Sequence, residues 1–130
     1  MLTASARIHC LRDPTRGGLA ATLNEFALQS QVGIILDEGS IPINKAVAGA
    51  CELLGLDPLH LANEGKLVAS VEATDATSVL ARMVENRYGH EATIIGEVVA
   101  EHPGRVIMRT SLGSSRIIDM PVGELLPRIC

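Results

Sequence analysis

The sequence predicts an α+β domain, one mostly antiparallel sheet with helices packed on it. Three observations predict it. Stretches whose apolar residues recur at helical spacing alternate with short β-branched runs. The last third of the chain is strand-rich, and its runs are joined by turns such as Pro103-Gly104 and Gly113-Ser114-Ser115, which favours antiparallel pairing. A chain of 130 residues, 47% hydrophobic, is long enough for one domain with its own core.

Taken in order, Ile8-His9-Cys10-Leu11 reads as a strand or its edge. After Arg12-Asp13-Pro14-Thr15-Arg16-Gly17-Gly18, residues Leu19, Leu23, Phe26, Ala27 and Ser30 share one helical face, so a helix runs from about 17 to 30, with Asp13 or Thr15 as its cap. Residues 32–37 form a strand that Gly39 and Pro42 end. Asn44 caps a second helix with a Val47, Ala50, Cys51 and Leu54 stripe, and Gly55 stops it. Residues 56–65 are a loop and 66–73 a buried strand. Thr74 or Asp75 starts a third helix with Val79, Leu80, Met83, Val84 and Arg87 along one side, ending between Asn86 and Gly89. Strands follow at 92–100, interrupted by Gly96, at 105–110 and at 115–120.

Composition narrows the function. Aromatic residues make up only 2%, so the core is aliphatic, with Phe26 and Tyr88 the sole rings. The formal charge is −4, from 11 basic and 15 acidic residues, with no basic run to neutralise a nucleic-acid backbone. The apolar runs are too short to span a bilayer, and the first ten residues lack the pattern of a signal peptide. A cytoplasmic protein without nucleic-acid or membrane partners is expected. Three cysteines, at 10, 51 and 130, form no C-x-x-C, and four histidines are scattered without ligand spacing, so no metal ligands are assigned.

Three stretches can carry chemistry. In the glycine-rich stretch Pro14 stiffens a turn, Gly17 and Gly18 admit close backbone approach, and Arg12 and Arg16 add cations before a helix N-terminus. That suits a phosphate; it equally suits a capped helix start, and it is no Walker A sequence. Asn63-Glu64-Gly65-Lys66 places a carboxylate on a loop, where Glu64 is either a general base or a solvated turn residue, with Lys66 a possible surface partner. The chain closes on Pro127-Arg128-Ile129-Cys130. Cys51 and Cys10 read as packing residues. Cys130 reads either as a frayed end or as a thiol carried on an arm. Four extended residues before it span roughly 13–14 Å, and Pro121 and Pro127 stiffen the arm.

Together, Asp13-Pro14-Thr15-Arg16-Gly17-Gly18-Leu19, Ala62-Asn63-Glu64-Gly65-Lys66-Leu67, Ile95-Gly96-Glu97-Val98 and the closing Pro127-Arg128-Ile129-Cys130 resemble the C-terminal half of the HypE family of hydrogenase maturation factors. That family lies within the superfamily of aminoimidazole ribonucleotide synthetase and selenophosphate synthetase. The resemblance covers essentially the whole chain; the terminal motif is its specific part, and the glycine-rich stretch marks only the superfamily.

The resemblance implies an ATP-dependent carbamoyl dehydratase. Cys130 matches the carrier cysteine, loaded with a carbamoyl group by the carbamoyltransferase HypF. The thiocarboxamide is dehydrated to a thiocyanate, whose cyano group goes to iron on a HypC–HypD complex for the [NiFe]-hydrogenase centre. Glu64 matches the family's relay glutamate. Arg12, Asp13, Thr15, Arg16, Gly17 and Gly18 are the candidate nucleotide-phosphate residues. The expected organisation is a C-terminal domain over 1–120 and a tail over 121–130. An N-terminal half, absent from this chain, would bind most of the ATP and Mg2+, supply the relay histidine and form a homodimer. The chain alone is expected not to turn over ATP. The alternatives are a non-catalytic partner-docking module, or a purine- or selenophosphate-synthesis relative with an incidental terminal cysteine.

Overall fold

The fold is organised around one short apolar strand, Gly33-Ile34-Ile35-Leu36-Asp37, in a computed structural model that describes residues 7–122. The elements follow as β1 (Ile8–Arg12), α1 (Gly18–Ser30), β2 (Gly33–Asp37), α2 (Lys45–Leu54), β3 (Val68–Val71), α3 (Ala76–Val84), β4 (Gly96–Val99), β5 (Val106–Arg109) and β6 (Ser115–Ile117). Short 3-10 turns occupy Glu38–Ser40, Pro58–His60 and Ala73–Asp75.

The α+β class and the mostly antiparallel pairing match the expectation. The strands divide between two sheets, however: β1 pairs with β3, and the larger sheet has the order β4-β2-β5-β6. In that sheet β4 and β6 run antiparallel to their neighbours, while β2 and β5 are parallel, Ile34 facing Val106 and Leu36 facing Met108. A parallel pair needs a long crossover. Here everything from α2 to β4 lies between the two strands.

Helix α1 covers one face of the larger sheet. Ala20, Leu23 and Ala27 form one buried cluster with Ile34, Leu36, Val106, Met108, Ile118 and Leu59. The core is aliphatic, as composition required. Phe26 packs against it only partly buried, and Tyr88 is 82% exposed, stacked under the Arg87 guanidinium rather than inserted.

Several local expectations change. Neither Asp13 nor Thr15 caps α1: its N-cap is Gly17, in the left-handed region, with no side-chain hydrogen bond. Asn44 does cap α2, accepting from the Ala46 amide at 2.9 Å, and Gly55 ends that helix in the left-handed conformation. Strand 66–73 shortens to Val68–Val71 and is only half-buried, because its sheet has a single partner strand. Strand 92–100 starts at Gly96, although the Ile95 carbonyl still accepts from the Asp37 amide. A 3-10 turn precedes α3, so the helix begins at Ala76. The stripes on α2 and α3 bury one residue each, Cys51 and Val79.

Candidate functional site

The turn before α1 is where the distant parts of the chain meet. Gly17 and Gly18 both have φ +65°, a conformation that costs an L side chain about 1–2 kcal/mol. At Gly18 space demands glycine as well. A Cβ there would lie 2.4 Å from the Leu61 carbonyl oxygen and 2.5 Å from that of Leu59. The absence of a side chain lets the backbone of the 59–61 loop lie directly on the start of α1. One step further along that loop, the Asn63 amide donates to the Pro14 carbonyl at 3.0 Å. Pro14 is buried although it sits in a polar stretch. The glycine-rich turn and the Asn63-Glu64-Gly65 turn, some fifty residues apart, are thus one hydrogen-bonded surface.

The end of the described chain reaches the same place. A Cβ on Gly17 would lie 3.2 Å from Cγ of Pro121. The Asp119 carbonyl lies 3.2 Å from His60 Nε2, and the Ile118 carbonyl accepts from Asn24 Nδ2 at 2.9 Å. Residues 118–121, the base of the terminal segment, therefore leave the fold beside Gly17. Cys130, Pro127 and Arg128 lie outside the described residues.

The predicted residues have different fates within this cluster. Arg12, at the end of β1, is ion-paired with Glu25 of α1, so part of its charge is already committed. Arg16 is exposed and has no side-chain hydrogen bond or ion pair among the described residues, which leaves it the more available cation. Asp13 is exposed and Thr15 half-buried. Glu64 is exposed in its turn and, among the described residues, makes no ion pair with Lys66. Among the described residues no group of three or more His, Cys, Asp or Glu side chains is placed to hold a metal ion. No helix among them is long and apolar enough to cross a membrane.

Sequence reasoning passed over Asn24, Glu25 and His60. The signal for Asn24 was present: it is an amide on a helix face otherwise lined by Ala20, Leu23 and Ala27. Glu25 gave none, since its partner is 13 residues away; His60 has Asp57 three residues before it, but its contact with Asp119 spans 59 residues. A shallow cleft of about 380 Å³ borders the cluster through Asp57 and Leu59, with Met108, Leu56 and Arg116 also in its walls; none of the predicted site residues lines it.

A family described as "AIR synthase related protein, C-terminal domain" matches residues 1–109. The chain belongs to that family. Relatives of this AIR synthase related domain include carbamoyl dehydratase HypE of Cupriavidus necator, 55% identical over all of this chain and 37% of the relative's length. Carbamoyl dehydratase HypE of Bradyrhizobium diazoefficiens is 57% identical over all of this chain and 38% of its own. The chain thus spans little more than a third of the curated relatives it matches. Among solved structures, a crystal structure of hydrogenase maturation protein HypE superposes with a TM-score of 0.92 at 46% identity, covering 100% of this chain and 42% of that one. HypE in complex with ATP gives 0.87 at 47% identity, over 95% of this chain and 38% of that one. The HypE–HypF complex gives 0.87 at 46%, over 92% and 39%. The domain therefore resembles the C-terminal part of HypE in both sequence and fold.

Proposed function

We propose that this chain is the tail-bearing C-terminal domain of an ATP-dependent carbamoyl dehydratase, in which Cys130 carries the reacting group and Glu64 serves as base. One observation supports this most directly. The base of the terminal segment, the glycine-rich turn and the loop that ends in Glu64 are in mutual contact, through Pro121 on Gly17, Leu59 and Leu61 on Gly18, and Asn63 on Pro14. A sulfur on the nine residues that follow Pro121 starts its reach at the glycine-rich turn, whose Pro14 carbonyl is bonded to the amide of the residue before Glu64.

The overall step converts a cysteine S-carboxamide to an S-cyanide. The amide oxygen leaves and the nitrogen loses two protons. Bound ATP supplies the phosphoryl group that turns the oxygen into a leaving group. Arg16, with the backbone of Gly17 and Gly18 at the start of α1, is suited to hold phosphate oxygens; Arg12, shared with Glu25, has a smaller part. Glu64 accepts a nitrogen proton once the thiocarboxamide lies within hydrogen-bond reach. An exposed carboxylate with no bond among the described residues can meet an incoming tail without first breaking one there. The remaining length of the relatives is assigned the Mg2+ site, the relay histidine, most of the nucleotide contacts and a homodimer interface. HypF is the proposed loading partner, in line with the solved HypE–HypF complex, and a HypC–HypD complex the acceptor of cyanide. The protein is proposed to work in the cytoplasm.

Mass spectrometry of the intact full-length parent, incubated with HypF, carbamoyl phosphate and ATP, tests the reading. A gain of about 43 Da on Cys130 that becomes about 25 Da is expected, from the masses of carbamoyl and cyano substituents. Cys130→Ala should abolish loading. Glu64→Gln should load normally and stall at the larger mass. No modification of Cys130 would end the proposal.

A further inference from the structure

The base of the terminal segment is held residue by residue. Ile118 is 1% exposed; its amide donates to the Val106 carbonyl, and its own carbonyl accepts from Asn24 at 2.9 Å. Asn24 is itself buried, and its Nδ2 also donates to the Ala20 carbonyl at 2.9 Å, so both amide hydrogens are used. The next carbonyl, that of Asp119, faces His60 Nε2 at 3.2 Å. A carbonyl can only accept, so Nε2 carries the proton. The other ring nitrogen faces the Asp57 carboxylate at 3.8 Å, to which Arg116 donates at 2.9 Å. Pro121 then rests on Gly17. Strand β6 has already ended at Ile117, so the contacts from Asp119 onward are not part of its ladder with β5. A buried amide on an apolar helix face costs desolvation unless it is bonded. Here its bonds reach the residue where the terminal segment begins.

We propose that Ile118–Pro121 is a clamped pivot, and that Asn24 and His60 are positioning residues that fix where the terminal segment leaves the fold. Its consequence for chemistry rests on the carrier role proposed above for Cys130. Nine residues, Val122 to Cys130, follow the closed clamp in the sequence; thirteen, from Ile118, follow an open one. Effective concentration falls roughly as the −3/2 power of length, so release alone lowers it about 1.7-fold. Loss of the aim set at Gly17 adds to that.

Spin labels on Cys130 and on Gln29→Cys, an exposed position of α1, report the arm directly in full-length protein carrying Cys10→Ser and Cys51→Ala. His60→Leu should widen the distance distribution. His60→Gln, which keeps a side-chain N–H donor, should restore it. In single turnovers of carbamoyl-loaded protein with native cysteines, His60→Leu should slow conversion about twofold or more, with the KM for ATP unchanged. If His60→Leu does not fold, His60→Ala, which removes the ring facing the Asp119 carbonyl and adds no bulk, should produce the same widening. An unchanged distribution in the variant that folds overturns the pivot. If wild-type Cys130 never gains a carbamoyl group, the carrier role fails instead, while the distances still decide whether the pivot exists.

Discussion

Helices α1 and α2 each carry an apolar stripe at helical spacing, the sharper one on α2, and end in different surroundings. Along α1, Ala20, Leu23 and Ala27 are sealed against the larger sheet. Along α2 only Cys51 is buried, while Val47 is 45% exposed, Leu54 71% and Leu53 90%. The lesson is physical. A 3.6-residue period defines a face, but burial requires a second surface, and of these two helices α1 is the one packed into the core of the larger sheet. The site follows the same division. Its contacts gather at the N-terminal end of the well-packed helix, where a rigid base can hold the glycine-rich turn and residues 118–121 in register.

The contrast can be broken most severely in the core. Met108→Ala, beneath α1, should cost about 2–5 kcal/mol in urea unfolding, whereas Leu53→Ala on α2 should change stability by less than about 0.5 kcal/mol. Equal losses would mean that α2 is covered in solution. Next in size is Gly18→Ala. The left-handed backbone alone costs about 1–2 kcal/mol, and the added methyl meets the Leu59 and Leu61 carbonyls. The total should exceed the backbone cost, and the Asn63 amide should lose protection from hydrogen exchange as the loop lifts. Unchanged protection would mean that the two turns are not coupled.

Asn44→Ala, which removes the α2 cap, should cost about 1 kcal/mol by thermal unfolding, a large share of what holds a helix with so little burial. The smallest effect concerns acid. The Ser111 backbone amide, helped by its hydroxyl, holds the Glu38 carboxyl below its ordinary value of 4.5. A carboxyl depressed in the folded state contributes stability above that ordinary value and loses it as pH falls through the folded one. Glu38→Gln should therefore lower the melting temperature slightly near neutrality and flatten its decline below about pH 4.5, so that the two curves converge in acid. An unaltered acid limb would discount that bond.

Much of this was legible in the residues. The helix ending at Ser30, the strand expected at 32–37 and found at 33–37, the Asn44 cap and the Gly55 stop were written locally, because each depends on side chains within a turn of one another. The family was legible in its short motifs. The N-cap of α1 was misread because Asp13 and Thr15 are good caps in isolation, while the left-handed turn at Gly17, close against Ala21 and Pro121, put glycine there instead. The division into two sheets was hidden because strand pairing is a long-range choice that period-2 patterning leaves open.

The sequence by itself determined the class of the domain, the aliphatic character of its core and the placing of its elements, since propensity, capping and hydrophobic period act over a few residues. Tertiary structure alone decided that Pro14 meets Asn63, that Gly17 meets Pro121, that His60 meets Asp119, and that Arg12 is drawn to Glu25. These contacts join residues far apart in the chain, and such pairings follow from how helix and sheet close on each other rather than from any local preference.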